Sequence, residues 1–225
     1  MAAEREHQVV IRSVELERLI FFSDAVFAIA ITILVLDLRP PEVSGPDPAG
    51  SLRHGLIRLI PKLMSYAMSF WIIGLYWFVH HRIFRHIRRC DDGLIWLNLL
   101  FLFSIAFLPF PVALMGSYGA LRAAVVFYTA TLIVTGIAQL LLWRHASRGA
   151  HLIDPDFDPR EARFITVRSA VAPLAALLVL GLAFVVPPYL ATVGFFLIFP
   201  LQRWLRRRHD RASRPAPAPA RPRRR

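Results

Sequence analysis

Six apolar blocks of about the length needed to cross a membrane follow one another along the 225-residue chain. An α-helix rises about 1.5 Å per residue, so about 20 apolar residues cross the roughly 30 Å hydrocarbon core of a bilayer. The blocks lack the alternation of a membrane β-barrel, and helices are the other structure that can span lipid. The sequence therefore predicts an all-α integral membrane protein. Its six transmembrane helices are predicted at Leu19–Leu38, Leu59–Val79, Leu94–Met115, Leu121–Trp143, Val167–Val186 and Tyr189–Leu205, the last weakened by Pro200.

The distribution of basic residues orients these helices. An even number of spans leaves both termini on one side. If that side is the cytoplasm, 22 of the 27 Lys and Arg residues lie in cytoplasmic segments. The positive-inside rule therefore predicts cytoplasmic termini. The net charge of +12 then reflects topology, and it predicts binding of anionic lipids at the basic cytoplasmic segments rather than of nucleic acid.

The chain divides into three predicted segments. Residues 1–18 form a polar cytoplasmic lead-in, residues 19–205 form one six-helix domain, and residues 206–225 form an Arg- and Pro-rich tail that we expect to be disordered. Between the first two spans, residues 51–58 have leucines at helical spacing and predict a short interfacial helix. Pro109 and Pro111 predict a kink in span three.

The sequence offers no arrangement typical of catalysis. The single cysteine, Cys90, excludes an internal disulfide and a cysteine-based metal site. The adjacent His80 and His81 do not share a helix face, which disfavours chelation and leaves His80 as a candidate partner in an interhelical hydrogen bond. We predict neither an enzyme, nor a cofactor, nor a metal beyond a permeating ion.

The first span carries an acidic residue inside its apolar block. Asp24 at membrane depth costs roughly 2.5–3.5 kcal/mol on insertion scales, so it requires a partner. At about 100° per residue, Asp24 lies about 140° away from Ile29 and its apolar stripe. We expect Asp24 to face polar groups of spans two and three, and either to lock the packing alone or to couple it to the opening of a pore. The candidate partners are Tyr76, Trp77, His80 and Asn98.

The same span resembles a known signature. Arg18-x-x-x-Phe22-Ser23-Asp24, followed by an Ala/Ile-rich stretch that ends in Leu-Asp-Leu, resembles the first helix of the transmembrane protein 175 family. Those proteins are endosomal and lysosomal potassium channels with shorter prokaryotic relatives. Trp77 and His80 in span two and Asn98 in span three extend the resemblance.

The resemblance implies an architecture that composition does not show. First helices line the family's pore, which lacks a carbonyl filter, and this sequence has no TVGYG-like segment. With one six-helix repeat, this chain would form a homotetramer. Carried over by position, Ile29, Ile33 and Leu36 form a hydrophobic constriction and Thr32 contacts the ion. A ring of Ile29 side chains would gate by dewetting, and one hydroxyl ring would prefer potassium modestly.

Two charged residues flank this stripe. Arg18 lies on the pore side at the cytoplasmic entrance, where an unpaired ring of guanidinium groups would repel cations. We expect it to pair with Asp24 of a neighbouring subunit, or with Glu15 or Glu17. Asp37 at the outer end either concentrates cations or is an ordinary interfacial carboxylate.

The predicted function is thus a potassium-preferring cation channel in the cell membrane, and two alternative functions stay open. A secondary transporter needs ionisable residues near the membrane midplane, and few are present here. A non-conducting membrane scaffold is the third possibility.

Overall fold

The computed structural model describes residues 2–148, 152–154 and 157–212 of the chain. This part of the protein is helical, and an isolated antiparallel bridge joins Ile87 and Ile153 in the linkers. The α-helices are α1 (Ala2–Ile33), α2 (Pro48–Phe84), α3 (Asp92–Phe107), α4 (Pro109–Tyr118), α5 (Arg122–Arg148), α6 (Pro159–Leu182), α7 (Pro188–Ala191) and α8 (Ile198–Ala212), with 3-10 turns at Leu34–Asp37 and Thr192–Leu197.

Five helical segments of the described chain are long and apolar enough to cross a membrane, namely Val14–Asp37, Pro48–Phe84, Asp92–Tyr118, Arg122–Arg148 and Pro159–Leu182. They correspond to the first five predicted spans. The sixth predicted span is helical as well, but the 3-10 turn Thr192–Leu197 separates α7 from α8. Pro200, which cannot donate a backbone hydrogen bond, lies just beyond that turn.

The tail boundary differs from the predicted one. Helix α8 continues to Ala212, seven residues into the segment expected to be disordered from residue 206. Arginine is a good helix former, and the first proline after Pro200 is Pro215. Residues 213–225, which hold the rest of the predicted tail, lie outside the described residues.

Prolines have opposite effects in spans two and three. Span three is interrupted at Leu108, before Pro109, which separates α3 from α4 at the place where the kink is predicted. Pro61, in contrast, lies inside the continuous α2. The separate interfacial helix expected at residues 51–58 is therefore the first part of this 37-residue helix, which is about 55 Å long.

Two buried apolar clusters hold the helices together. The larger cluster includes Phe27, Ala30 and Leu34 on one face of α1. A smaller one, around Ile83 and Trp143, lies by the α2–α3 and α5–α6 linkers. The core thus fixes one face of α1 and leaves the opposite face outside it.

Candidate functional site

Helix α1 and the turn after it have one buried and one exposed face. Ser23, Phe27, Ala30 and Leu34 are buried against the rest of the chain. These positions lie between about 100° and 160° from Ile29 around the helix axis. Burying them leaves a continuous apolar strip without a partner in the single chain.

The exposed strip contains the residues that were predicted to line a pore. Ile29 is 59% exposed and Leu36 is 71% exposed. Ile33, Phe22 and Thr32 are exposed beside them. One chain alone does not cover this strip, which leaves it available to other subunits or to lipid.

Thr32 is the hydroxyl within this strip. Its Oγ1 donates to the carbonyl oxygens of Ala28, at 2.8 Å, and Ile29, at 3.1 Å. The hydroxyl proton therefore points back to the helix. The lone pairs of the oxygen are left to accept a hydrogen bond or to contact a cation.

Asp24 faces the neighbouring helix α2, as the helical angles predict. Trp77 Nε1 donates to Asp24 Oδ1 at 2.8 Å. The carboxylate is half-buried, and a hydrogen bond to a charged group offsets part of the cost of placing it there. This contact fixes α1 against α2 on a side of the helix away from Ile29.

A chain of three buried side chains, here called the polar chain, joins α2, α3 and α1. It comprises His80, Asn98 and Ser23 and ends at the carbonyl oxygen of Leu19. The distances are 2.9 Å from His80 Nε2 to Asn98 Oδ1, 3.0 Å from Asn98 Nδ2 to Ser23 Oγ, and 2.7 Å from Ser23 Oγ to the Leu19 oxygen. His80 is thus an interhelical partner, as expected, although it bonds to Asn98 and not to Asp24.

The direction of each bond in the polar chain follows from its last member. A carbonyl can only accept, so the Ser23 hydroxyl donates to Leu19 and must accept from Asn98. The Asn98 amide nitrogen therefore faces Ser23, and its oxygen accepts from His80. This requires the His80 proton to be on Nε2.

Aromatic rings hold His80 in place. Its ring lies 4.3 Å from the Phe84 ring centroid, 5.5 Å from that of Phe101 and 5.6 Å from that of Phe27. These residues come from α2, α3 and α1, so the same three helices that share the polar chain also enclose it.

Arg18 and Asp37, the charged residues at the two ends of the exposed strip, differ in their contacts. Arg18 is exposed, and among the described side chains it forms no ion pair with Glu15, Glu17 or Asp24 of its own chain. At the other end, Lys62 Nζ lies 3.6 Å from Asp37 Oδ2. Asp37 is thus neutralised by a residue of α2 that the sequence did not identify as its partner.

The burial of one arginine was also not predicted from the sequence. Arg168, counted in the sequence among the cytoplasmic charges, is 6% exposed. Its guanidinium lies 5.0 Å from the centroid of the Phe78 ring and 5.7 Å from that of Phe164, and Nε donates to Gln202 Oε1 at 2.9 Å. The signal available in the sequence was Gln202, the polar residue of the last span that faces this arginine.

A helix cap ties the start of α3 to the end of α5. Asp91 accepts from the Leu94 amide at 2.7 Å and lies 3.0 Å from His145 Nε2. An aspartate before a helix is a common cap, but its histidine partner is 54 residues away. Among the described residues, no group of three His, Cys, Asp or Glu side chains is placed to hold a metal ion.

Comparisons with known proteins agree with this arrangement. Residues 18–109 match the family described as the endosomal/lysosomal potassium channel TMEM175. A potassium channel of Streptomyces collinus is 39% identical over 183 residues, which are 79% of this chain and 87% of that protein. The human endosomal/lysosomal proton channel TMEM175 is 28% identical over 81% of this chain, which spans 34% of the human protein.

A solved structure has the same fold. The lysosomal potassium-selective channel TMEM175 homologue of Chamaesiphon minutus superimposes with a TM-score of 0.72 at 30% sequence identity. The match covers 88% of this chain and 99% of that one.

Proposed function

Because this chain belongs to the TMEM175 family of channels, we propose that this multi-pass membrane protein is a potassium-preferring cation channel of the cell membrane. Four copies would place their first helices around a common axis. Both termini would face the cytoplasm, where basic segments contact anionic lipid. The observation that supports this function is the exposed face of α1, which presents Ile29, Thr32, Ile33 and Leu36 to a neighbour.

The position of Ile29 along the first span supports the proposed constriction. Ile29 comes ten residues after Leu19, where the first apolar block begins, which is about 15 Å along the helix and half of the hydrocarbon thickness. A narrow ring of four isoleucine side chains at this depth excludes water and blocks ions. A small outward tilt of the helices would wet the ring and open it.

Thr32 gives the proposed pore its preference for cations. It lies one turn beyond Ile29, and its proton is held by the Ala28 carbonyl. The four hydroxyl oxygens can therefore replace part of the hydration shell of a cation but cannot donate to an anion. A single ring of this kind favours a weakly hydrated cation such as potassium, with modest selectivity.

The test is an ion-flux measurement on purified protein in liposomes, with potassium and sodium gradients imposed in turn. We expect potassium flux from the native protein and at least a threefold larger flux from Ile29→Asn, because the amide wets the constriction. Leu174→Asn, which changes a 60% exposed leucine of α6, is the matched control and should leave flux unchanged. An equal flux from all three proteins would refute the role of Ile29.

Proton conduction is a second candidate because the human relative is named a proton channel. Reversal potentials separate the two ions, since a tenfold gradient of proton concentration (one pH unit) at symmetric potassium displaces the reversal potential only if protons carry the current. We expect the potential to follow the potassium gradient. Thr32→Ala should lower the ratio of potassium to sodium permeability without abolishing the flux.

A further inference from the structure

A cavity of about 760 Å³ opens on the outer side of the fold, away from the polar chain. It lies between α2, the end of α4 and the 3-10 turn Thr192–Leu197. Its volume is within the range of sites that bind small molecules. The lining residues that matter here are Arg58, Lys62, Ser65, Met68, Met115 and Phe196.

The character of the lining changes along α2. Arg58 and Lys62 lie one turn apart, Ser65 follows after another turn, and Met68 is a turn deeper. From Arg58 to Met68 the helix advances about 15 Å. Two cations thus lie at one end of the cavity and apolar side chains at the other, so the cavity has the polarity of an amphiphile with an anionic head.

The serine in the middle of this gradient lacks a hydrogen bond. Ser65 is 6% exposed, and within the described part of the chain its Oγ has no partner. In contrast, the buried hydroxyls of Thr129 and Ser169 bond to the carbonyl four residues earlier. A buried hydroxyl without a partner is unfavourable, and an acceptor bound in the cavity would offset that cost.

We propose that this cavity binds one phospholipid of the outer leaflet. Arg58 and Lys62 hold its phosphate. The Ser65 hydroxyl, once its side chain turns toward the cavity, donates to an ester carbonyl, which follows the phosphate in a phospholipid. Met68 and Met115 contact the acyl chain. The orientation of the lipid matches the bilayer, because Arg58 and Lys62 lie at the start of the predicted span Leu59–Val79 and Met68 lies inside it.

One residue of the site, Lys62, also contacts the turn that follows the first helix. Lys62 lines this cavity and a smaller one of about 260 Å³ beside Asp37 and Leu36. It lies 3.6 Å from the Asp37 carboxylate. A phosphate at Lys62 would therefore share this cation with the outer end of α1.

Photolabelling of the full-length protein tests the proposal. The probe is phosphatidylglycerol with a diazirine on its acyl chain, and mass spectrometry locates the label. We expect the label on Met68 or Met115 and at least a fivefold loss of that label in Met68→Trp, which fills the cavity. Leu178→Trp, at a 51% exposed position of α6, should label as the native protein does.

A second, matched pair of variants tests whether the cations of the cavity bind the lipid. Both variants are at exposed sites of α2, so they leave the core intact. Arg58→Gln should lower labelling at least threefold at limiting probe. Arg53→Gln removes an arginine of the same helix that does not line this cavity and should have no effect.

Several results would overturn the proposal. Label confined to other residues, or undiminished label in both Met68→Trp and Arg58→Gln, would show that the cavity holds no phospholipid. Displacement of the probe by palmitate, but not by unlabelled phosphatidylglycerol, would show that a free fatty acid is the occupant. Labelling does not depend on ion flux, so a failure of the proposed channel function would not affect this test.

Discussion

Replacing Asn98 should uncouple α1 from α2 and α3. Asn98 is completely buried and is the only described side chain that bonds to both His80 and Ser23. Asn98→Leu keeps a similar volume but leaves the His80 Nε2 proton without an acceptor. Ser23 keeps its bond to the Leu19 carbonyl and loses only an incoming one.

The expected cost combines two terms. A buried donor left without a partner costs about 1–3 kcal/mol. The lost bond to Ser23 adds about 0.6 kcal/mol, the average for interhelical bonds in a membrane protein. We therefore expect the free energy of unfolding to fall by roughly 1.6–3.6 kcal/mol.

The measurement is unfolding in mixed micelles of the native protein and three variants. His80→Phe alone leaves the Asn98 oxygen unpaired, whereas the double variant His80→Phe with Asn98→Leu removes both polar partners. The double variant should lose at least about 1 kcal/mol less than the sum of the single variants. Leu100→Ala, on the exposed side of α3, is the control and should change little.

The reasoning would be refuted in either of two ways. A loss below about 0.5 kcal/mol for Asn98→Leu would mean that the His80 proton finds another acceptor. Strict additivity of the two variants would mean that His80 and Asn98 do not share the bond that the geometry shows.

Three other predictions follow from packing and protonation. Gly136→Ala should destabilise by about 1–3 kcal/mol, because the added Cβ would lie 2.7 Å from the Pro173 ring. Gly74→Ala, whose Cβ meets nothing within 4 Å, should be neutral or slightly stabilising in the same assay. Burial raises the pKa of the Cys90 thiol to about 11, so at pH 8 it should alkylate roughly tenfold more slowly than free cysteine. A rate equal to that of free cysteine would contradict this burial. Burial lowers the pKa of His86, so the unfolded state takes up the proton more readily, and stability should fall as the pH drops below about 6.5. His86→Gln should flatten that dependence in unfolding curves taken across this range.

The sequence was sufficient for features that depend on local periodicity. The faces of α1 follow from 100° per residue, so the direction of Asp24 and the exposure of Ile29 could be predicted. Block length predicted the first five spans, and Pro109 predicted the break in the third. Each of these depends on residues within a few turns of one another.

Features that depend on contacts distant in sequence could not be predicted in the same way. Asn98 and Ser23 are 75 residues apart, and their bond depends on how three helices pack. Whether Pro61 breaks α2 depends on the packing around the helix, and here it does not. The pairing of Lys62 with Asp37 and the burial of Arg168 likewise required the folded chain.

The direction of the polar chain has a consequence for proton movement. A proton can hop along hydrogen-bonded groups only if each group can take up one proton and release another. The Asn98 amide in the middle does not release its protons at ordinary pH, and the Leu19 carbonyl at the end has none to pass on. The polar chain that joins α1, α2 and α3 is therefore a fixed alignment of dipoles and does not conduct protons. A proton current through this protein would have to take a path other than this one.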